Sequence, residues 1–107
     1  MEVTIRGNSM EPTLCDGDNV IFEEFQDQRL EVGDVVLCQH PFSSKNIVKR
    51  IKSITKNNKL YIRGDNPLYS TDSRSFGPLS FSKIIGLYKE RYYAVSYTHL
   101  TLPTIYS

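Results

Sequence analysis

Ser9 is a candidate nucleophile. It lies in the stretch RGNSMEPTLCDGD, just before a turn that contains Pro12. A serine hydroxyl has far too high a pKa to attack at neutral pH unless a neighbouring base takes its proton. The chemistry that Ser9 could perform therefore depends on which basic side chain the fold brings to it.

Two side chains are candidates for that base. Before the C-terminal segment the sequence has a single histidine, His40 in CQHPF, but a histidine beside a proline is more often a surface or turn residue. A lysine acts as a base only when it is neutral, which requires an apolar site that lowers its pKa. Lys49 suits this requirement best, since apolar residues flank it in NIVKRI. Taken alone, the Ser9 segment is more typical of a plain turn, and Lys49 is more typical of a solvated lysine in a strand.

The composition of the chain limits the classes of protein to which it can belong. With 107 residues and 39% hydrophobic content, the chain is long enough for one domain and too short for two. A net charge of +1 gives no strong field that would favour nucleic acid or a membrane surface as partner. No apolar stretch reaches the ~20 residues that cross a bilayer, and no signal peptide opens the chain. We therefore expect a cytoplasmic protein without a membrane anchor.

The two cysteines, Cys15 and Cys38, form no C-x-x-C motif, and the histidines show no metal-ligand spacing. We expect both cysteines to be small buried or half-buried residues. A reducing compartment disfavours a disulfide between them. The sequence thus predicts no metal and no cofactor.

Short β-prone runs separated by turn signals fill the chain, and no window of 11 or more residues has a helical period. NIVKRIKSI alternates its side chains between two faces, as a strand does. Gly17 in CDGD and the pair Asn57–Asn58 predict tight turns. We therefore predict an all-β fold, a coiled antiparallel sheet or partial barrel. The predicted strands lie in VTI, NVIFEEF, EVGDVVLCQH, NIVKRIKSI, KLYIRGD and KIIGLY.

Three separated segments resemble the motifs of the type I signal peptidase superfamily, and they occur in that family's order. GNSMEPTLCDGD resembles the segment of its nucleophile, and GDVVLCQHPFSSKNIVKRI resembles the segment of its lysine. IRGDNPLYSTDSRSFGPL resembles its third motif, a Gly-Asp-Asn turn followed by Ser-x-Asp-Ser-Arg and Phe-Gly-Pro. The resemblance implies a serine–lysine protease with an all-β catalytic core and a polypeptide substrate.

The resemblance also implies a role for each matched residue. Ser9 would be the nucleophile, and Lys49 the neutral general base and later the general acid. Ser70 matches the serine that orients the lysine amine. Asp72 and Arg74 match a supporting charge pair, and an Asp-x-Arg turn suits a charge-assisted hydrogen bond. The turn at Asp65–Asn66 would bring Ser70 towards the site.

Gly7 departs from the family pattern. Many relatives carry a serine two positions before the nucleophile, and its hydroxyl helps to bind the oxyanion. A glycine offers no such hydroxyl, so the oxyanion would rely on the Ser9 N–H and a further donor. Losing one oxyanion donor can cost roughly 3 kcal/mol of transition-state stabilisation.

The chain has no helix before Ser9, and only 14 residues separate Lys49 from Gly64. This short form is similar to the nickel-type superoxide dismutase maturation proteases, which implies removal of an N-terminal propeptide from a precursor protein. One alternative is a fragment of a membrane-anchored signal peptidase. An alternative of another class is a non-catalytic β-domain for protein interaction. A self-cleaving, repressor-like protein is disfavoured, because eight residues before Ser9 leave no room for a scissile segment.

The last segment, Val95 to Ser107, contains no charged residue, whereas the preceding YKERYY is rich in charge. The codons GTC TCT TAT ACA CAT CTG ACG CTG CCG ACG encode VSYTHLTLPT, and this DNA resembles a transposon-based sequencing adapter. We therefore expect residues 1–94 to form the protease domain. We expect residues 95–107 to be a translated adapter that makes few core contacts and can be removed without loss of the fold.

Overall fold

The computed structural model describes residues 1–68, 76–92 and 104–106, and half of these residues lie in eight β-strands. A single 3₁₀ turn, Phe81–Lys83, lies between the sixth and seventh strands. The prediction of an all-β fold is therefore confirmed. The strands are β1 (Glu2–Arg6), β2 (Asn19–Glu24), β3 (Val35–Gln39), β4 (Asn46–Ile54), β5 (Lys59–Arg63), β6 (Leu79–Ser80), β7 (Ile84–Tyr92) and β8 (Thr104–Tyr106).

The strands form one sheet in the order β3-β7-β2-β1-β8-β4-β5-β6. A further pairing between β3 and β4 joins the sheet to itself, so that six strands form a partial barrel and β5 and β6 extend beyond it. Strand β8 runs parallel to both β1 and β4. The other pairings are antiparallel, as the sequence predicts.

The alternation of side chains along β3 and β4 divides the core into two clusters. Val35 and Leu37 lie in the first cluster, whereas Val36 and Cys38 lie in the second. Strand β3 is therefore apolar on both faces, which explains its unbroken run VVLC. The first cluster also contains Val3, Ile5, Met10, Leu14, Val20, Phe22, Val48 and Ile105. The second also contains Leu30, Ile47, Ile51, Leu60, Ile62, Leu79 and Ile84.

Two of the predicted turns require unusual backbone angles. Gly17 has φ +90° in the CDGD turn before β2, a conformation that glycine adopts without steric cost. Asn58 has φ +58° in the turn from β4 to β5, and asparagine tolerates this region better than most residues. These turns set the register in which the following strands return to the sheet.

The expectation that the C-terminal segment contacts the core little is wrong at Thr104–Tyr106. These residues form β8, which separates β1 from β4, and Ile105 is buried in the first core cluster. The physical reason is that backbone pairing does not depend on side-chain identity, so one apolar residue between polar neighbours is enough to seat a strand. The origin of residues 95–107 stays a prediction.

Candidate active site

The turn that carries Ser9 follows β1 directly and is held by apolar anchors. Met10 and Leu14 are fully buried, and the Leu14 N–H donates to the Met10 carbonyl at 2.9 Å. Behind the turn, the Gly17 N–H donates to the Ile5 carbonyl at 2.8 Å, which ties the segment back to β1. Ser9 is therefore fixed between a strand and a buried turn, and only 1% of its surface is exposed.

Lys49 lies in the middle of β4 and meets Ser9 inside the protein. Its Nζ atom is 2.7 Å from Ser9 Oγ, a hydrogen bond between side chains that are 40 residues apart in the sequence. Lys49 is also only 1% exposed. The two groups are thus brought together by the tertiary fold and are shielded from bulk water.

The surroundings of Lys49 are apolar on its own strand face. Ile47 and Ile51, two positions away on either side, belong to the second core cluster together with Cys38. Burial raises the pKa of the Cys38 thiol to about 12, while the positive charge of Lys49 acts on it in the opposite direction. Ser9 and Lys49 therefore meet in a largely apolar environment.

Side chains from two other segments of the chain converge on the Asp65 carboxylate. Arg50 makes a bidentate pair with Asp65, with Nε to Oδ1 and Nη2 to Oδ2 both 2.8 Å. The Thr13 hydroxyl donates to Asp65 Oδ2 at 2.5 Å. Thr13 belongs to the segment of the nucleophile and Arg50 follows the lysine, so this group, which we call the Asp65 clamp, links both to the third motif.

A backbone hydrogen bond reinforces the clamp, since the Asn66 N–H donates to the Ser9 carbonyl at 2.7 Å. Arg50 Nη1 also donates to the Gly33 carbonyl at 2.6 Å. The pKa of Asp65 is lowered, first by its hydrogen bond from Arg50 and also by that from Thr13, while burial opposes the shift. The carboxylate is therefore ionised at neutral pH, and it links the segments that carry Ser9 and Lys49 to the turn after β5.

Gly7 has a conformational reason to be glycine. Its φ is +103°, a region that side-chain-bearing residues rarely adopt. Its N–H donates to Asp16 Oδ1 at 2.9 Å, and Arg6 Nη1 contacts the other oxygen of the same carboxylate at 3.3 Å. The position thus serves the backbone path from β1 to Ser9 and provides no side-chain donor.

Of the residues that the sequence singles out, the structure brings together Ser9 and Lys49. Ser70, Asp72 and Arg74 lie outside the described residues. The ring of His40, the alternative base, accepts a hydrogen bond at Nδ1 from the Phe42 N–H at 3.0 Å and packs against Phe76. These contacts place His40 in the connection between β3 and β4.

The Asp65 clamp was missed from the sequence. The sequence predicts only a turn at Asp65 and no role for Arg50 or Thr13. The sequence feature that could have indicated the Asp65 clamp is proximity, because each of its residues lies within four residues of Ser9, of Lys49 or of the turn in the third motif. Both cysteines are free, with Cys15 partly exposed and Cys38 buried, as predicted.

The described residues contain no group of three or more histidine, cysteine, aspartate or glutamate side chains that could hold a metal ion. In the same part of the chain, no helix combines the length and the apolar character that a membrane crossing requires.

The family and the proteins to which this chain is similar are all named as peptidases or proteases. The profile of the Peptidase S24-like family matches residues 1–86. Mitochondrial inner membrane protease subunit 1 of Mus musculus is 30% identical over 106 residues, covering 78% of this chain and 64% of the mouse protein. The human protein of the same name is 31% identical with the same coverage. Mitochondrial ATP-independent inner membrane protease subunit 1a of Arabidopsis thaliana is 30% identical over 107 residues, covering 77% and 64%. The chain thus spans less than two thirds of the length of each relative.

Proposed function

The chain belongs to the Peptidase S24-like family, and from this premise we propose that it is a serine endopeptidase that processes precursor polypeptides with a Ser9–Lys49 dyad. The observation that carries the proposal is the 2.7 Å contact between Ser9 Oγ and Lys49 Nζ. Both side chains are only 1% exposed, and few structural roles account for a lysine buried against a serine hydroxyl.

In the proposed reaction, the neutral amine of Lys49 takes the hydroxyl proton of Ser9 as Oγ attacks the scissile carbonyl. The tetrahedral intermediate collapses to an ester on Ser9, and the Lys49 ammonium gives its proton to the leaving amine. Lys49 then deprotonates the water that attacks the ester, and the proton finally returns to Ser9. One lysine thus serves as base and acid in both halves of the reaction.

The supporting roles follow from the family resemblance. Ser70 would orient the lysine amine, and Asp72 with Arg74 would form a charge pair that stabilises this region. The oxyanion would be bound by the Ser9 N–H and a second donor, because Gly7 carries no hydroxyl. The Asp65 clamp contributes by fixing the segments from which Ser9 and Lys49 project.

The relatives favour processing of the signal-peptidase type. They are named as mitochondrial inner membrane proteases, which suggests a precursor polypeptide as substrate and makes association with a membrane a reasonable proposal for this chain. They do not support the narrower resemblance to a nickel superoxide dismutase maturation protease. Both that substrate and a cytoplasmic location therefore stay predictions.

Substitution of the nucleophile tests the proposal. Ser9→Ala should reduce cleavage of a precursor polypeptide by about a thousandfold or more, because no other group replaces Oγ. Ser53→Ala, at an exposed position of β4, is the matched control and should cleave normally. The product's new N-terminus is read by mass spectrometry. Undiminished cleavage by folded Ser9→Ala would refute the dyad, and a non-catalytic β-domain would keep its binding function in both variants.

A further inference from the structure

Positive charge is concentrated in one part of the chain, although the net charge of the whole chain is only +1. Seven of the 13 lysines and arginines lie between Val35 and Gly64, and none of the 12 aspartates and glutamates does. This stretch contains β3 and the hairpin of β4 and β5, and β5 extends beyond the partial barrel. The protein thus presents a basic hairpin beside a remainder in which acidic residues outnumber basic ones.

Two arginines are opposite one another in this hairpin. Arg50 of β4 pairs in register with Arg63 of β5. Like charges at directly opposed positions of a sheet repel each other and are destabilising. Asp65 forms an ion pair with Arg50 at 2.8 Å, whereas within the described part of the chain no hydrogen bond or ion pair involves the Arg63 side chain. The hairpin therefore keeps one positive charge that its own carboxylate does not neutralise.

Arg50 and Arg63 line a groove of about 270 Å³, which we call the Arg63 groove. The turn after β5 contributes Gly64, Asp65 and Pro67 to its walls. A guanidinium group binds a carboxylate through two parallel hydrogen bonds, and a concave site selects for single side chains that enter it. The shape and charge of the groove therefore fit an aspartate or glutamate side chain of a polypeptide better than the broad surface of a membrane.

The Arg63 groove and the dyad lie on opposite faces of β4. Successive side chains of a strand point to opposite faces, so Arg50 faces away from the amine of Lys49. A polypeptide bound at Ser9 would have to cover a distance on the order of 10 Å to reach the other face, which takes about three or more extended residues. The groove is therefore too far from the dyad to contact the residues that flank a scissile bond.

The two sites nevertheless share a support. The Asn66 N–H, in the turn that lines the groove, donates to the Ser9 carbonyl at 2.7 Å. A polypeptide that occupied the groove would thus be anchored to the same turn that holds the backbone of the nucleophile.

We propose that the Arg63 groove is a second binding site for the precursor polypeptide, and that it takes an aspartate or glutamate side chain several residues away from the scissile bond. The proposal rests on the proposed function. It assigns as substrates polypeptides that carry acidic residues at a distance from the cleavage site. Arg63 determines specificity through binding and touches none of the reacting atoms.

Binding of an acidic peptide to the full chain tests the groove without any cleavage. A fluorescently labelled peptide of alternating glutamate and glycine should bind, and the same peptide with glutamine for glutamate should not. Arg63→Gln should weaken the binding about fivefold, as the loss of one exposed ion pair would, and Arg63→Lys should retain most of it. Arg29→Gln is the matched control, because it removes the same charge from a side chain that is 89% exposed in another segment. It should keep the wild-type affinity.

Two reporter substrates extend the test to catalysis. They share one scissile sequence and differ in a tail of glutamates or glutamines that begins several residues from the scissile bond. We expect wild type to cleave the glutamate substrate with a kcat/KM about fivefold higher, through a lower KM and an unchanged kcat. Arg63→Gln should lose this preference, and Arg29→Gln should keep it. Circular dichroism reports that both variants are folded.

The outcomes separate this proposal from the proposed function. Arg63-dependent binding of the glutamate peptide without cleavage of either substrate would uphold the carboxylate site and refute the proposed function. Cleavage of both substrates with equal kcat/KM by wild type, or equal peptide affinity of wild type and Arg63→Gln, would overturn the proposal and leave the proposed function intact. Arg63-dependent binding to phosphatidylglycerol vesicles, without binding of the glutamate peptide, would overturn it in favour of a membrane surface.

Discussion

The charge state of Lys49 is the property through which pH should act on the dyad. Only the neutral amine can accept the Ser9 proton, so kcat/KM should rise with pH until Lys49 is deprotonated. Lys49→Arg should lower the rate by roughly 10²–10⁴-fold, because a guanidinium keeps its charge. The pH profile of wild type and the rate of the variant are measured with the same precursor substrate.

Lys52→Arg is the matched control for that substitution. Lys52 is exposed on the same strand, so its replacement should leave both the rate and the pH profile unchanged. Substantial cleavage by Lys49→Arg would remove Lys49 as the base and would return attention to His40.

At position 7, we expect the serine that the family resemblance implies to be unfavourable in this backbone. Gly7→Ser would place a side chain at φ +103°, which costs about 1–3 kcal/mol of folding free energy. We expect a lower melting temperature and no gain in kcat, although the serine adds a hydroxyl. A raised kcat with unchanged thermal stability would show that position 7 can supply an oxyanion donor.

Cys38 should make the protein sensitive to alkaline pH. Burial raises the pKa of its thiol in the folded state to about 12, whereas the pKa of an exposed thiol is about 9. Between these values the unfolded state binds fewer protons, so the free energy of unfolding falls by up to about 1.4 kcal/mol per pH unit. Urea unfolding of Cys38→Ala should show a smaller decline than wild type over this range. An identical decline in both would assign the effect to other groups.

Ser9 and Lys49 are predictable from the sequence because three segments resemble the motifs of one family and occur in that family's order. The pairing of Asp65 with Arg50 and Thr13 is not predictable in this way, since many charged side chains lie near these positions in sequence. Which acid meets which base depends on the return path of β5 and on the turn after it. Only the three-dimensional arrangement provides this information.

Among the elements, β4 and the turn after β5 are coupled through the Asp65 clamp. Asp65→Asn removes the charge and should cost about 1–2 kcal/mol of stability, after allowance for partial exposure. The pKa of Asp65 is lower in the folded state than in the unfolded state, where it is about 3.9. The stabilisation by Asp65 is therefore fully present at pH values above the unfolded-state pKa and is lost as the pH falls through the folded-state pKa. The variant should therefore show a weaker acid destabilisation than wild type by urea unfolding below pH 5. A full wild-type acid response would contradict this assignment.

The strands themselves were largely predictable, because alternating apolar residues and turn glycines have short-range signatures. Strand β8 was not predictable, because its position in the sheet depends on the strand edges of β1 and β4. The closed order of the barrel likewise depends on the β3–β4 pairing, which joins the two ends of a six-strand run. Such pairings are set by tertiary contacts and leave no periodic trace in the sequence.

For the whole molecule, truncation after Ala94 tests whether the domain stands without its last segment. We expect the shortened chain to fold cooperatively and to lose roughly 2 kcal/mol, which corresponds to the burial of one isoleucine. The fold should survive, because β2 and β7 and the β3–β4 hairpin do not involve β8. Circular dichroism and urea unfolding report the result. A chain that no longer unfolds cooperatively would show that β8 is essential to the barrel.

The burial of Ser9 and Lys49 limits which polypeptides the proposed peptidase could cleave. A side chain with 1% exposure, as Ser9 has, is out of reach of a folded surface loop. We expect a polypeptide to reach Ser9 only where a segment about as long as a strand is unfolded and free of its own backbone hydrogen bonds. The folding state of a substrate would therefore decide whether it is cleaved before its side chains are recognised. One protein offered in native and in denatured form should then be spared in the first state and cut in the second. The enzyme would thus act on chains that are not yet folded.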